Sequence, residues 1–321
     1  MAGVPEVPAR PGGELWGIAT CFNPAGYRNK YDHLHRFSSC VRRQGLKLLV
    51  IELCLRGASS VLQDDVADLV IRLRSDTVLW HKERLLNIAL SALPETCDKV
   101  AWLDADLLFE NADWVRDTVR LLDHYNVVQP FQFACWLPRD VEEVPSGDGA
   151  DGAEIETQPA SAYAQLISSD PSAITGHPGF AWVARRSLLA RHGFYDRCIL
   201  GGGDAAMSWA MFRGVDVWPG RGWSTALLSS ALENDLRAWS FGFHADVQGS
   251  VYFAPGRVFH LWHGDKKNRR YLLRSVILRE ANFDPAADVA LDDAHCWRWS
   301  SNKPELHRKI EEYFRSRKEE G

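Results

Sequence analysis

Four apolar runs have the length and make-up of buried strands: Leu15 to Thr20, Leu46 to Leu53, Lys99 to Leu103 and Val127 to Phe131. Between them the apolar positions recur at helical spacing over Tyr31 to Gln44, Trp80 to Leu93 and Asp113 to His124. That βαβα order predicts an α/β protein with a parallel sheet and helices on both faces. Ala101 and Leu103 face one side of their strand and Val100 and Trp102 the other, so the strand is expected to be covered on both faces and central. Asp104 stands at its carboxyl end, where open α/β sheets bind their ligands. If the chain stays extended, its period of two puts Asp104 and Asp106 on one side, able to share a cation or a ligand.

The pattern breaks at Pro145 to Ala160, PSGDGADGAEIETQPA, which is Gly-rich, acidic and poor in apolar residues and reads as a mobile loop. No internal repeat is visible. Further on, a helix is expected over Thr225 to Trp239, a short strand pair over Val251 to Phe253 and Arg257 to Trp262, and basic helices after that. Lys303 to Lys318 carries Leu306, Ile310, Tyr313 and Phe314 at the spacing of an amphipathic helix docked by one face.

At 321 residues and 46% hydrophobic content, the chain has enough apolar residues for a large core. The net charge of -5 argues against a surface that coats nucleic acid, although Lys266, Lys267, Arg269, Arg270 and Arg274 could hold phosphates locally or form a solvated helix face. Seven cysteines, scattered and without a CxxC pair, suggest neither a disulfide framework nor a zinc knuckle. A reducing compartment fits, and the opening MAGVPEVPARPGG has no apolar core for a signal peptide. The expectation is a cytoplasmic protein without a membrane span.

The stretch VAWLDADLLFEN, Val100 to Asn111, sets two carboxylates into an apolar run. An uncompensated buried carboxylate costs several kcal/mol, so the pair must be solvated, hydrogen-bonded or bound to a cation. An Asp-x-Asp alone is equally a turn or a helix cap. Three other segments change the picture: LWHKERLLNIAL (Leu79 to Leu90), GFYDRCILGGGDAAMSWAMFRG (Gly193 to Gly214) and FHLWHGDKKNRRY (Phe259 to Tyr271).

With these segments the chain resembles GT-A glycosyltransferases, in particular the β-1,4-galactosyltransferase-like group and family 2-like enzymes. Arg84 to Asn87, RLLN, looks like the family's helix before the Asp-x-Asp strand. Gly193, Phe194, Gly201 to Asp204 and Phe212 to Gly214 reproduce its glycine-rich turn ending in an acid, and His263 with Asp265 to Asn268 its metal-ligating histidine. The resemblance spans about residues 15 to 275. It implies the GT-A fold, a Rossmann-like, nucleotide-binding α/β/α sandwich with an acceptor-side C-terminal elaboration. The corresponding division is a disordered N-terminus over 1–13, a catalytic domain over 14–282 and a C-terminal helical extension over 283–321.

The resemblance also implies a transferase that takes a sugar from a nucleotide sugar, a UDP-sugar by default, with Mn²⁺ or Mg²⁺. A cation bridging the diphosphate stabilises the charge that grows as the bond breaks. Asp106 is the first candidate ligand and His263 the second; Asp104 binds the metal or the ribose hydroxyls. His260, inside the apolar run VFHLW, reads as a core or supporting histidine. Asp204, after three glycines and at the start of a helical run, is the candidate base, a role compatible with capping that helix. Deprotonation of an acceptor hydroxyl opposite the leaving group gives inversion.

Nucleotide contacts are expected from Thr20, Phe22, Asn23, Glu52, Lys82, Arg84, Asn87, Leu103, Asp104 and Lys266. Phe22 has core packing as its alternative, and Arg84 a surface ion pair with Glu83 or Glu95. Sugar contacts are expected from His177, Gly179, Trp182, Gly202 and Gly203, since aromatic faces stack on sugars and glycines let the backbone come close. Where galactosyltransferases carry further acids beside the base, this chain has Gly203, Ala205 and Ala206, so an N-acetylglucosamine acceptor is not implied. A saccharide or glycoconjugate is the expected acceptor. Arg185, Arg186, Arg191 and the basic Lys266 to Arg279 segment leave hydroxylated bases in DNA as an alternative. A nucleotidyltransferase, or an inactive sugar-binding protein on the same frame, are the readings of another class.

Overall fold

The structure, a computed structural model, describes residues 13–145, 155–170, 175–213 and 228–320. In chain order the strands are β1 (Glu14–Phe22), β2 (Lys47–Leu55), β3 (Leu69–Ser75), β4 (Cys97–Leu103), β5 (Leu107–Phe109), β6 (Val127–Gln129), β7 (Phe133–Trp136), β8 (Glu156–Pro159), β9 (Ala181–Arg185), β10 (Val251–Phe253), β11 (Arg257–His260), β12 (Val289–Leu291) and β13 (Trp297–Trp299). The helices are α1 (Asn29–Arg43), α2 (Lys82–Ala92), α3 (Trp114–Leu121), α4 (Ser161–Ile167), α5 (Arg186–His192), α6 (Gly203–Arg213), α7 (Ser230–Val247), α8 (Tyr271–Glu280), α9 (Pro285–Asp288) and α10 (Pro304–Ser316).

Seven strands form the main sheet in the order β10-β6-β9-β4-β1-β2-β3. β4, β1, β2 and β3 run parallel, as the βαβ order requires, with Thr20 opposite Ile51 and Ala19 opposite Leu103. β9 runs antiparallel between β4 and β6, so the sheet is mixed rather than purely parallel. β3, LVIRLRS, lies at the edge with alternating arginines and escapes an apolar-run search for that reason.

β4 is central and buried on both faces. Ala101 and Leu103 join one core with Leu34, Phe37 and Val41 of α1, while Val100 and Trp102 join the other with Leu85, Leu86 and Ala89 of α2 and Met207 of α6. The result is a three-layer α/β/α arrangement. A second sheet, β5-β11-β7-β8, lies beside the carboxyl end of β4. Glu156 to Pro159, expected within a mobile loop, are instead strand β8 paired with β7; residues 146–154 of that loop, residues 1–12 of the expected disordered N-terminus and Gly214 lie outside the described residues. No helix among the described residues is long and apolar enough to cross a membrane.

Candidate active site

The strand carrying the two aspartates stops at Leu103, and the chain then turns. The Asp104 amide donates to the Phe180 carbonyl at 2.8 Å, and the Asp106 carbonyl accepts from the Leu261 amide at 2.9 Å. The turn breaks the period of two, so the carboxylates part company. Asp104 goes to Lys82 and Asp106 to a pair of histidines.

Asp106 Oδ2 lies 3.1 Å from His263 Nε2 and 3.6 Å from His260 Nε2, and the two ring nitrogens are 3.0 Å apart. Ligand atoms of all three residues lie within 4.8 Å of one another. His260, inside the apolar run VFHLW, is expected to be a core or supporting histidine. However, β11 ends at His260, the chain leaves the strand, and both rings come to the Asp106 carboxylate. Arg269 Nη2 approaches His263 Nε2 at 3.0 Å; a guanidinium only donates, so this nitrogen presents its lone pair. A lone pair facing a carboxylate oxygen at 3.1 Å, with Asp106 Oδ1 buried and without a partner, is an arrangement a cation satisfies.

Beside this cluster, Lys82 at the start of α2 contacts Asp104 Oδ1 at 2.5 Å and Asp204 at 3.0 and 3.1 Å. Burial would lower the Lys82 pKa, but the two aspartates raise it, so the ammonium stays charged. Burial and the neighbouring Asp204 and Asp106 raise Asp104 to about 6, against the pull of Lys82. Asp204 is the second residue of α6, reached through Gly201 (φ +88) and Gly202 (φ +107), a path that favours glycine. At Gly203 a Cβ would fall 2.3 Å from Glu83 Oε1, so only glycine lets Glu83 sit against the start of α6.

Glu83 is buried, and desolvation with the Asp204 charge raises it to about 8, despite Lys82. The folded protein therefore keeps a proton that the unfolded chain loses above 4.5, so this group costs stability progressively as pH rises from 4.5 through about 8. Glu83→Gln is expected to remove that decline, which is at most about 1.4 kcal/mol per pH unit for one proton. Urea unfolding of both proteins at the two ends of the window measures it, and parallel pH profiles would refute it.

Asp104, Asp106, Asp204, His260, His263 and Lys82 line one cavity of about 560 Å³. Thr20, Phe22, His177, Gly179, Gly202 and Lys266 line it too. Burial drives the His177 pKa down to about 3, with the Lys266 charge adding to it, so the ring is neutral. Lys266 lies 3.4 Å from the centre of the Trp136 ring and 2.6 Å from Glu156 Oε1. Asn23 and Glu52 line a neighbouring cavity of about 320 Å³ at the ends of β1 and β2. Glu52 there accepts from the Val61 amide at 3.2 Å and from the Ser60 hydroxyl at 2.5 Å.

Five residues assigned to binding from sequence, Leu103, Trp182, Arg84, Asn87 and the buried Gly203, line neither cavity. Leu103 and Trp182 are core residues on β4 and β9, and Trp182 Nε1 donates to the Pro178 carbonyl at 2.8 Å. Arg84 pairs with Asp196 at 3.1 Å. Asn87 accepts from the Phe194 amide at 2.8 Å and donates to the Phe194 carbonyl at 2.9 Å and to Asp196 at 3.0 Å. At about 100° per residue, positions two and five beyond Lys82 turn to the far side of α2, away from the cavity. Asn87→Ala is expected to cost about 1–3 kcal/mol of stability by leaving these groups unpaired; denaturant unfolding measures it.

Sequence reasoning missed the contribution of the far end of the chain. Tyr313 and Arg317, in and just after α10, line the larger cavity, and Phe314 lines the smaller one. Phe314 stacks on Trp80 (6.3 Å, 8°) and meets Phe22 edge-on, so the expected extension forms a wall of both cavities. Only the amphipathic spacing of Leu306 to Phe314 hinted at docking. Of the basic residues that leave a DNA acceptor open, Arg185 and Arg186 donate to the carbonyls of Leu122 and Pro94, and the exposed Arg191 pairs with Asp246.

No family model and no curated protein sequence matches the chain. Solved structures do resemble it in outline. Staphylococcus aureus TarS, residues 1–349, aligns at 14% identity and TM-score 0.36, over 62% of this chain and 56% of that one, so the chain spans little more than half of that relative. Mycobacterium tuberculosis glucosyl-3-phosphoglycerate synthase, in complex with Mn²⁺, UDP and phosphoglyceric acid, aligns at 13% identity and TM-score 0.41, over 87% and 82%. The 4-diphosphocytidyl-2C-methyl-D-erythritol synthase of Anaerococcus prevotii aligns at 12% identity and TM-score 0.37, over 76% and 90%. These likenesses lie at the level of the overall α/β outline, and no residue role is taken from them.

Proposed function

We propose that the protein is a metal-dependent glycosyltransferase that moves a hexose from a nucleotide sugar, a UDP-sugar, to a hydroxyl of a saccharide or glycoconjugate, with inversion and with Asp204 as the base. One observation carries the reading: a cation-binding donor set, Asp106, His260 and His263, opens into the same cavity as Asp204 and Lys82. Two imidazoles and one carboxylate favour Mn²⁺ over Mg²⁺, which prefers oxygen ligands. A divalent cation there supplies Lewis-acid stabilisation to the departing diphosphate.

The chain's own residues do the rest. Asn23 and Glu52, in the smaller cavity, take the nucleoside, with Phe22 and Thr20 leading toward the larger one. Lys266 and Arg269 face the diphosphate as charge-assisted donors. Lys82 keeps Asp104 ionised and, as an acceptor hydroxyl enters beside Gly179 and Gly202, releases Asp204 to take its proton. Seven free cysteines suit a reducing, cytoplasmic setting.

A screen of nucleotide sugars for slow donor hydrolysis, with and without Mn²⁺, tests the proposal. Mn²⁺-dependent release of a nucleoside diphosphate from one or more donors supports it. Pyrophosphate release from a nucleoside triphosphate would make the protein a nucleotidyltransferase, and binding without turnover a sugar-binding protein.

A further inference from the structure

His263 turns Nε2 toward Asp106 and Arg269, which leaves its other ring nitrogen, Nδ1, facing away from the cavity. Nδ1 is buried and has no hydrogen-bond partner, and the charged group it faces is Glu319, with Oε1 at 3.9 Å. Glu319 is only 2% exposed, unusual for a carboxylate three residues beyond the last helix. Lys30 of α1 at 2.7 Å and Arg317 at 2.5 Å hold it there.

The neighbouring backbone is fastened as well. The Glu319 carbonyl accepts from Asn29 Nδ2 at 2.6 Å, and the Glu320 carboxylate accepts from the backbone amides of Arg28 and Asn29 at the start of α1. Arg139 donates to the Glu320 carbonyl at 3.0 Å. On the other side, a Cβ at Gly264 would lie 2.6 Å from the Lys318 carbonyl oxygen, so the turn after His263 is moulded to this segment.

We propose that Glu319 is a positioning residue that fixes the ring of His263, with Arg317 to Glu320 as the strap that carries it to the site; this rests on reading Asp106, His260 and His263 as the cation site. A metal-ligating imidazole needs its proton on the far nitrogen, and a carboxylate beside that nitrogen fixes tautomer and orientation. Arg269 donating to Nε2 already requires the same tautomer. The residues come from α1, the turn after β11 and the segment after α10, so they meet only in the folded chain.

Mn²⁺ titration followed by electron paramagnetic resonance tests the proposal without any substrate. Glu319→Gln is expected to weaken Mn²⁺ binding about tenfold or more, and Glu319→Asp, which keeps the charge, to recover most of the loss. Arg139→Gln removes a bond of the same strap, the one to the Glu320 carbonyl, but leaves Lys30, Arg317 and the Glu319 carboxylate in place, and is expected to bind Mn²⁺ no more weakly than wild type. Unchanged affinity in Glu319→Gln, or equal losses in Glu319→Gln and Arg139→Gln, would overturn the proposal. Failure of the wild-type protein to bind Mn²⁺ defeats the cation site itself, and the proposal with it. Histidine nitrogen chemical shifts of the metal-free wild type decide the matter if the glutamine variant does not fold: a proton on Nδ1 of His263 supports the proposal and one on Nε2 overturns it.

Discussion

Asp106→Asn is expected to abolish Mn²⁺-dependent nucleotide binding and to cut sugar transfer about a thousandfold, the equivalent of roughly 4 kcal/mol of transition-state stabilisation. The substitution keeps the shape of the side chain and removes the one anion of the cluster, leaving His260 and His263 as neutral donors without charge compensation. Because Asp106 is partly exposed and its backbone bond to Leu261 remains, the fold is expected to survive. Equilibrium dialysis of Mn²⁺ with the nucleotide and a circular dichroism melt separate the two effects. A variant that melts like wild type and still binds the nucleotide in a metal-dependent way would remove Asp106 from the ligand set.

Asp204→Asn is expected to lower transfer by about 10²–10⁴-fold, the range for loss of a general base. Nucleotide affinity should stay within about threefold, since Asp204 is not one of the proposed cation donors, Asp106, His260 and His263. A cap role predicts something different. In that case Asp204→Asn would be nearly neutral, because asparagine caps helices as well as aspartate does. Loss of transfer with retained binding therefore identifies the base, whereas equal loss of both means that the residue organises the turn. Lys82 sharpens the test: without Asp204, it keeps Asp104 as a carboxylate partner, at 2.5 Å.

How much of this was legible in the sequence follows from where the physics is local. The β4 run was readable because both of its faces are apolar, a pattern set by burial in a central strand, and its carboxyl end located the crevice. Asp204 was readable because its turn needs glycines at positive φ. By contrast, the partition of Asp104 and Asp106 depends on a turn after Leu103 that no apolar pattern encodes. His260 was placed in the core because the end of β11 cannot be seen within VFHLW. Arg84 and Asn87 looked like ligands because RLLN resembles the family's helix before the Asp-x-Asp strand, yet the helix turns them to the loop at Phe194 and Asp196. Arg269, Arg317 and Glu319 reach the site through tertiary packing alone, so their local sequence carries no sign of it.

The antiparallel β9 illustrates the same limit. Its residues, AWVAR, are fully apolar in the middle, and direction is invisible in composition. Only pairing with both β4 and β6 defines it, and that pairing brings Phe180, held at φ +75, against both Asp104 and His260. The Phe180 carbonyl receives the Asp104 amide at 2.8 Å, and its ring stacks on His260 at 4.9 Å and 16°. A bulky residue in the left-handed region is strained, and here it ties the two clusters of the site together.

The central claim is a cation site built to hold a nucleotide diphosphate. Isothermal titration of UDP into the metal-free protein, repeated with saturating Mn²⁺, tests it most directly. The account predicts weak or undetectable binding without the metal and a rise in affinity of at least about tenfold with it, lost in Asp106→Asn. UDP binding that is absent under both conditions, or equally strong under both, would contradict it.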